Sequence, residues 1–379
     1  MVDFFKKEWS TLSTEAEIST YSPVGGITEH HVMLRVTDTK CDAAEQFQRI
    51  ETTIQLLQKY LQHTVLVWMR FFVSDAVNQL GFIHPSNHLS AVSIVQQPPL
   101  DGTKVAVWLY FVNKAQLKKD DQCTIMEHSL YRHLYHTQIH SRETDVAEQT
   151  KAVFEKYIQL LSAKGCTLEK HCQRTWVFVQ GVDTQYAGMV VARRELFARE
   201  GLTRDTHFIA STGIEGKYIY PETHVLLDAY AVQGLEPEQI RYLYASTHLN
   251  PTSQYGVTFE RGTAIQYGER RHIFISGTAS INNQGEIEHP MELLKQSDRM
   301  FENIRSLLAE ADADMNDVMH LIIYLRDISD YDTIAAYMQH HYPQIPKVIV
   351  WAPVCRPGWL VEAECMAIKE ISDERFGVF

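Results

Sequence analysis

The 379-residue chain lacks the short signatures that identify several large classes of protein. Its six cysteines form no Cys-x-x-Cys pair, so neither a zinc knuckle nor a redox-active dithiol is predicted. It has no Gly-rich phosphate loop, no His-Glu-x-x-His and no Gly-x-Ser-x-Gly motif. Its longest apolar runs are far shorter than the ~20 residues that cross a bilayer. We expect no metal and no cofactor.

Positive charge is also scarce. The 35 lysines and arginines are outnumbered by 47 acidic residues, which gives a net charge of −12. This balance argues against nucleic acids and anionic membranes as partners, although a local basic pocket can still bind an anionic small molecule. The first residues lack the basic region, apolar core and cleavage site of a signal peptide. We therefore expect a cytoplasmic protein that contacts neither nucleic acid nor membrane.

One succession of elements recurs three times: an amphipathic helix, an apolar strand, a second helix and a closing strand. Chance echoes are the alternative, but order and spacing agree as well as element type. The repeat predicts an α+β fold of three units, 1–115, 116–238 and 239–379, each a mixed sheet with two helices on one face. Three such units can cover one another's sheets in a ring, so we expect an intrachain pseudo-trimer, monomeric or paired as a dimer. The opening helices and closing strands are Ala44–Gln62 and Val105–Val112, Ala147–Lys164 and Val225–Val232, and Leu293–Glu310 and Trp359–Ile368.

The closing strand of the third unit carries two carboxylates on one face. Period-two alternation separates Glu362 and Glu364 from Val361 and Ala363. A buried carboxylate is costly unless it is paired, solvated or used. The pattern therefore predicts either a solvated strand face or a functional carboxylate facing a neighbouring unit. In the second unit, Asp228 is predicted to hold the place of Glu362.

A stiff loop precedes this strand. Residues 351–359 contain two prolines and a glycine, which restrict the positions of Cys355 and Arg356. Arg356 is either a clamp for a substrate carboxylate or a surface arginine of the turn.

The last third of the chain, Tyr242–Lys369, resembles the Rid superfamily, the YjgF-like proteins also known as L-PSP endoribonucleases or translation-initiation inhibitors. Rid proteins are trimers with clefts between subunits, so the resemblance also implies three chorismate-mutase-like units. The matching segments are Pro251–Gly256, Ile275–Ser280, Gly285–Ile287, Gln296–Ile304, Asp317–Ile328 and Val361–Glu364.

This resemblance implies specific roles for residues of the cleft. Glu362 falls on the family's catalytic glutamate, Tyr255 on its cleft tyrosine and Ser276 on its cleft serine. Tyr255, Ser276 and the adjacent Gly277 are therefore expected to bind the substrate. Rid deaminases hold the substrate carboxylate with an arginine about 15 residues before the glutamate. This chain has Lys347 there, and we expect it to bind the substrate as a point charge, without the bidentate fork of an arginine.

Within the superfamily, the chain is most similar to the chorismatases, which have about this length and a degenerate N-terminal part. Their closing motif and one of their cleft loops resemble the segments around Cys355-Arg356 and at Ala210–Gly216. The resemblance implies that the glutamate protonates the enolpyruvyl group of chorismate, with arginines holding the carboxylates and pyruvate as product. The substrate-binding residues predicted on this basis are Arg261, Arg356, Cys355, Thr212, Gly213 and Arg142.

Two other functions fit the same cleft. A deaminase would act on a 2-imino or enamine acid, with Glu362 activating water. A non-enzymatic ligand-binding protein or a ribonuclease-type translation inhibitor would use the cleft for binding, and the acidic chain disfavours the RNA alternative. For the chorismatase-like enzyme and for the deaminase, the expected ligand is a small carboxylate.

Overall fold

The described part of the chain forms three six-stranded mixed sheets, and each lies within one of the three predicted units. The structure, a computed structural model, describes residues 1–85, 87–120 and 122–379, and for Tyr255 it describes the backbone only. When the six strands of each unit are numbered along the chain, their order across the sheet is 1-2-3-6-4-5 in all three units. In each unit the fourth and fifth strands are parallel. The predicted threefold repeat is therefore confirmed as a repeat of topology. No helix among these residues is long and apolar enough to cross a membrane.

In the first unit, the strand order is β1-β2-β3-β6-β4-β5, and one long helix covers the sheet. Asp42 begins this helix by accepting a hydrogen bond from the N–H of Glu45. The second helix of this unit is reduced to four residues. The elements are β1 (Val2–Trp9), β2 (Thr14–Tyr21), β3 (Glu29–Val36), α1 (Ala43–Tyr60), β4 (Thr64–Val73), α2 (Ala76–Gln79), β5 (Ala91–Gln96) and β6 (Val105–Asn113).

The second unit repeats this topology with two long helices packed on one sheet face. Asp145 caps the first of them, and Val153, Phe154, Tyr157 and Leu161 form its buried stripe. The elements are β7 (Gln116–Asp120), β8 (Cys123–His128), β9 (Tyr131–Ile139), α3 (Val146–Ser162), α4 (Leu168–His171), β10 (Cys172–Val179), α5 (Val182–Arg199), β11 (Ala210–Glu215) and β12 (Val225–Gln233).

The third unit has the order β13-β14-β15-β18-β16-β17. Its long helix buries Phe301, Ile304, Leu307 and Leu308 against the sheet, as the i, i+3, i+4 spacing predicts. The elements are β13 (Ile240–Leu243), β14 (Gly262–Gln266), β15 (Arg270–Ala279), α6 (Leu293–Glu310), β16 (Val318–Leu325), α7 (Tyr331–His341), β17 (Lys347–Trp351) and β18 (Val361–Glu370).

The helix-free faces of the three sheets meet at the centre of the molecule. Trp68 of the first unit, Trp176 of the second and His320 of the third line one central cavity. One buried arginine–carboxylate pair crosses each of the three interfaces, and every side chain in these pairs is at most 3% exposed. The pairs are Arg70–Asp228 (3.0 Å), Arg174–Glu364 (2.8 Å) and Arg270–Glu29.

Candidate active site

A cleft between the second and third units contains most of the predicted site residues. Its empty volume is about 520 Å³, and both units contribute to its walls. Its apolar walls include Val257, Phe259, Ile281 and Trp359. The polar and small residues that line it include Tyr186, Arg193, Ser211 and Gly213 from the second unit and Arg261, Gly277, Cys355, Arg356 and Glu362 from the third.

Glu362 lies on β18 and is 5% exposed. Burial raises the pKa of its carboxyl to about 8, and the nearby Glu364 carboxylate adds to the shift. Arg261 and Arg174 act in the opposite direction but do not cancel the effect of burial. Glu362 is therefore mainly protonated at neutral pH and can donate a proton inside a largely apolar cleft.

Glycine at position 277 makes room for this carboxyl. A Cβ atom there would collide with Oε1 of Glu362 and lie 3.0 Å from Cγ2 of Thr212. The N–H of Gly277 donates a hydrogen bond to Oγ1 of Thr212, at 2.9 Å. The backbone of the third unit thus approaches the second unit closely beside the acid.

Glu364 has a different environment although it shares a strand face with Glu362. It accepts hydrogen bonds from Arg174 at 2.8 Å and from the indole N–H of Trp176 at 2.7 Å. Its charge is therefore paired across the interface, and it faces the central cavity. The predicted equivalence of Asp228 to Glu362 is wrong. Asp228 pairs with the fifth residue of β10, and Glu364 pairs with the fifth residue of β16. Asp228 is therefore the counterpart of Glu364.

Two arginines of the third unit line the cleft. Arg261 is 4% exposed, and its guanidinium donates to the carbonyl and side-chain oxygens of Asn250 at 3.2 and 3.1 Å. Arg356 donates to the carbonyl of Gly285 at 3.3 Å and stacks over the ring of Trp359. Both contacts leave the planar guanidinium groups beside the cleft, where they can interact with an anion.

Arg193 supplies a third cation from helix α5. It is 1% exposed, and its Nε and Nη1 donate to Oγ1 of Thr258 at 3.2 Å and Oγ of Ser211 at 3.5 Å. No hydrogen-bond partner is present for Nη2 among the described residues. Burial lowers the pKa of this guanidinium from its ordinary value.

Cys355 contributes a neutral thiol. Burial, followed by the influence of Glu362, raises its pKa to about 12. The raised pKa disfavours a thiolate nucleophile at neutral pH. In the part of the chain that the structure describes, no group of three or more His, Cys, Asp or Glu side chains is arranged to hold a metal ion.

Comparison with known proteins identifies the family. The sequence model of the family described as Endoribonuclease L-PSP matches residues 262–369. A RutC family protein of Pyrococcus abyssi is 32% identical over 110 residues, which cover 28% of this chain and 84% of that protein. The chain belongs to the Rid superfamily. A crystal structure of a chorismatase matches with a TM-score of 0.63 and 18% identity, covering 80% of this chain and 92% of the chorismatase chain. It shows that the Rid-like fold extends over most of the chain.

The structure places Lys347 away from Glu362. Lys347 lies in another cleft, between the third and first units, where its Nζ bonds to the carbonyl of Ile345 at 3.0 Å and lies 3.7 Å from Glu17. Lys347 pairs with the fourth residue of β16, and Ser211 pairs with the fourth residue of β10. Ser211 is therefore the counterpart of Lys347 in the second unit, and it lines the Glu362 cleft.

Three other predicted residues lie outside the cleft lining. Ser276 is fully buried and joins the two units, donating to the carbonyl of Glu260 at 2.6 Å and accepting from the N–H of Ser211 at 2.9 Å. Thr212 accepts from Arg174 at 2.6 Å and so supports the interface. Arg142 is exposed on the loop after β9. The side chain of Tyr255 lies outside the described part of the structure.

Sequence reasoning missed Arg193, although its helix carried a signal. Met189, Val190, Leu196 and Phe197 form the buried stripe of α5, and Arg193 stands in the middle of it. A charged residue at an apolar position of a helix is costly unless it has a partner or a task. This interruption of the stripe was readable once the boundaries of the helix were known.

Proposed function

We propose that this Rid-superfamily protein is an enzyme that releases pyruvate from a small carboxylate bearing an enol ether, with chorismate as the first candidate. The proposal rests mainly on Glu362, a buried carboxyl with a pKa of about 8 in a cleft lined by arginines. The TM-score of 0.63 to a chorismatase concerns the fold and is consistent with the proposal.

In the proposed reaction, Glu362 donates its proton to the terminal methylene carbon of the enol ether. The resulting oxocarbenium ion is attacked by water, which forms a hemiketal. Collapse of the adduct breaks the ether C–O bond and releases pyruvate and the hydroxylated ring. The Glu362 carboxylate recovers a proton from the attacking group, so the reaction consumes one water and no cofactor. Arg261 already lowers the pKa of Glu362 and stabilises the carboxylate formed after proton donation.

Deamination of an imino acid requires the opposite starting state of the glutamate. To activate water, Glu362 must be a carboxylate, which burial disfavours at neutral pH. Ser211, the counterpart of Lys347 in the second unit, also lacks the charge that binds the substrate carboxylate in that reaction. We therefore place the deaminase second.

The test is a direct comparison of products. The purified protein is incubated with chorismate and, separately, with an amino acid and an imine-generating oxidase. Pyruvate and ammonia are then assayed. We expect pyruvate from chorismate, a loss of about 100-fold or more in Glu362→Gln, and no loss in Glu374→Gln, which replaces an exposed glutamate. Accelerated ammonia release without pyruvate would replace this proposal with the deaminase.

A further inference from the structure

Four arginines of the described chain are at most 2% exposed, and one of them lacks an acidic partner. Arg70, Arg174 and Arg270 each form an ion pair with a buried carboxylate across an interface between units. Arg193 is 1% exposed and forms no such pair with any described residue. A buried charge without a partner costs several kcal/mol, so the other three arginines show how this fold normally compensates one.

The immediate surroundings of Arg193 are neutral. Its guanidinium donates to the hydroxyls of Thr258 and Ser211 and lies 5.8 Å from the centre of the Phe197 ring. The two N–H groups of its Nη2 have no acceptor among the described residues. These donors belong to a residue that lines the Glu362 cleft.

Neither the Glu362 carboxyl nor the Cys355 thiol compensates the charge of Arg193 at neutral pH. The pKa of Glu362 is about 8 and that of Cys355 about 12, so both side chains are mainly uncharged. Arg261 and Arg356 add further positive charge to the lining. The lining of the cleft therefore carries positive charge, although the chain as a whole has a net charge of −12.

We propose that Arg193, supplied by the second unit, binds a carboxylate of the ligand and makes this cleft selective for organic anions. This proposal deepens the proposed function and rests on it for the identity of the reaction. Arg193 lies on α5 of the second unit and Glu362 on β18 of the third, and both line the cleft. The anion anchor and the acid therefore come from different units, and a ligand that reaches both must span the interface.

The experiment compares an anionic probe with its neutral isostere. Calorimetric titration with 3-hydroxybenzoate and 3-hydroxybenzamide is carried out on the full-length wild type, Arg193→Met, Arg193→Lys and Arg199→Met. Arg199 is the matched control because it lies on the same helix, is exposed, and pairs with Glu155 at 3.2 Å. We expect the wild type and Arg199→Met to prefer the benzoate. Arg193→Met should lose on the order of 10- to 100-fold in benzoate affinity, with the benzamide unchanged.

Thermal unfolding separates binding from a structural role. Arg193→Met leaves no carboxylate without its partner, so its unfolding temperature without ligand should equal or exceed that of the wild type. Stabilisation by the benzoate should disappear. Arg193→Lys keeps the charge without the planar fork and should bind with intermediate affinity.

Three results would overturn the proposal: no binding of the benzoate to wild type, equal affinity of wild type for both probes, or undiminished benzoate affinity in Arg193→Met. Each is independent of turnover. Charge-dependent binding without pyruvate release would leave the anchor standing and remove the proposed reaction. Pyruvate release together with unchanged benzoate affinity in Arg193→Met would support the proposed reaction and overturn the Arg193 anchor.

Discussion

Two carboxylates on one face of β18 acquire different states from their surroundings. Alternation along the strand predicted that Glu362 and Glu364 would face the same way, and they do. Alternation could not show that Arg174, from another unit, would pair with Glu364 and leave Glu362 to the cleft. That distinction depends on a contact between residues 190 positions apart in the chain.

The raised pKa of Glu362 links its protonation to stability. This carboxyl ionises near pH 4.5 when free in the unfolded chain and near pH 8 in the folded protein. Between these values the folded state binds the additional proton, so stability falls as pH rises. The amide of a Glu362→Gln variant does not titrate. We expect the free energy of unfolding of this variant, relative to that of wild type, to increase by on the order of a few kcal/mol between pH 4.5 and about 8. Above pH 8 this difference should stay constant. Urea unfolding of both proteins across this range measures the difference. A difference that shrinks with rising pH would mean that the pKa is lowered instead.

Gly277 offers a test of the space around the acid. Gly277→Ala would place a methyl group against Oε1 of Glu362, and either the side chain or the strand must shift. We expect stability to fall by about 1–3 kcal/mol and pyruvate release to fall at least 10-fold, because a small displacement of the acid weakens proton transfer. Gly81→Ala is the control, since nothing lies within 4 Å of the added carbon. Wild-type turnover in Gly277→Ala would show that the acid does not need this position.

Helices and strands were largely predictable because their periodicity is local. The first helix was predicted at Ala44–Gln62 and spans Ala43–Tyr60. The short α2 was not foreseen, since the repeat alone suggested a full second helix in every unit. The sequence also could not show which cleft the side chains of an edge strand line. This depends on which unit packs beside that strand, and for this reason Lys347 on β17 was assigned to the wrong cleft.

Replacing Lys347 should therefore leave catalysis unchanged. The lysine lies beside the first unit, and Glu17 keeps Lys6 as a partner at 3.1 Å if the lysine is removed. We expect Lys347→Met to change stability by about 1 kcal/mol and to leave kcat and KM for pyruvate release at wild-type values. Steady-state kinetics beside Arg261→Gln, which should lose activity, checks this. A loss in Lys347→Met comparable to that in Arg261→Gln would return the lysine to the site.

Joining three units in one chain allows the three clefts to differ. The counterparts of Glu362 are Ala106 in the first unit and Leu226 in the second, so only the third unit has a carboxyl at this position. The cleft beside Ala106 instead contains paired charges, among them Lys6 and Glu17. We propose that the protein acts as a monomeric pseudo-trimer, or a dimer of it, with one working cleft per chain.

The buried ion pairs should hold this ring together. Arg70→Met leaves Asp228 buried without its cation, and we expect a loss of about 3–5 kcal/mol in unfolding free energy. Adding Asp228→Asn should recover much of it, because the remaining amide carries no charge. The exposed Arg204 pairs with its neighbour Asp205 and with no other acidic residue that the structure describes, so Arg204→Met should change stability little. Denaturant unfolding of these variants and wild type provides the comparison. Equal losses in Arg70→Met and Arg204→Met would contradict a role for the interface pair.

Proton transfer from Glu362 to the methylene carbon can be followed with deuterium. Chorismate is turned over in D2O with lactate dehydrogenase and NADH present, so that pyruvate is trapped as lactate before its methyl group exchanges. We expect one deuterium in the methyl group of the product with wild type, and a rate lower by a factor of about 100 or more with Glu362→Gln. A methyl group without deuterium, or the same singly deuterated product from Glu362→Gln at the wild-type rate, would contradict this proton transfer.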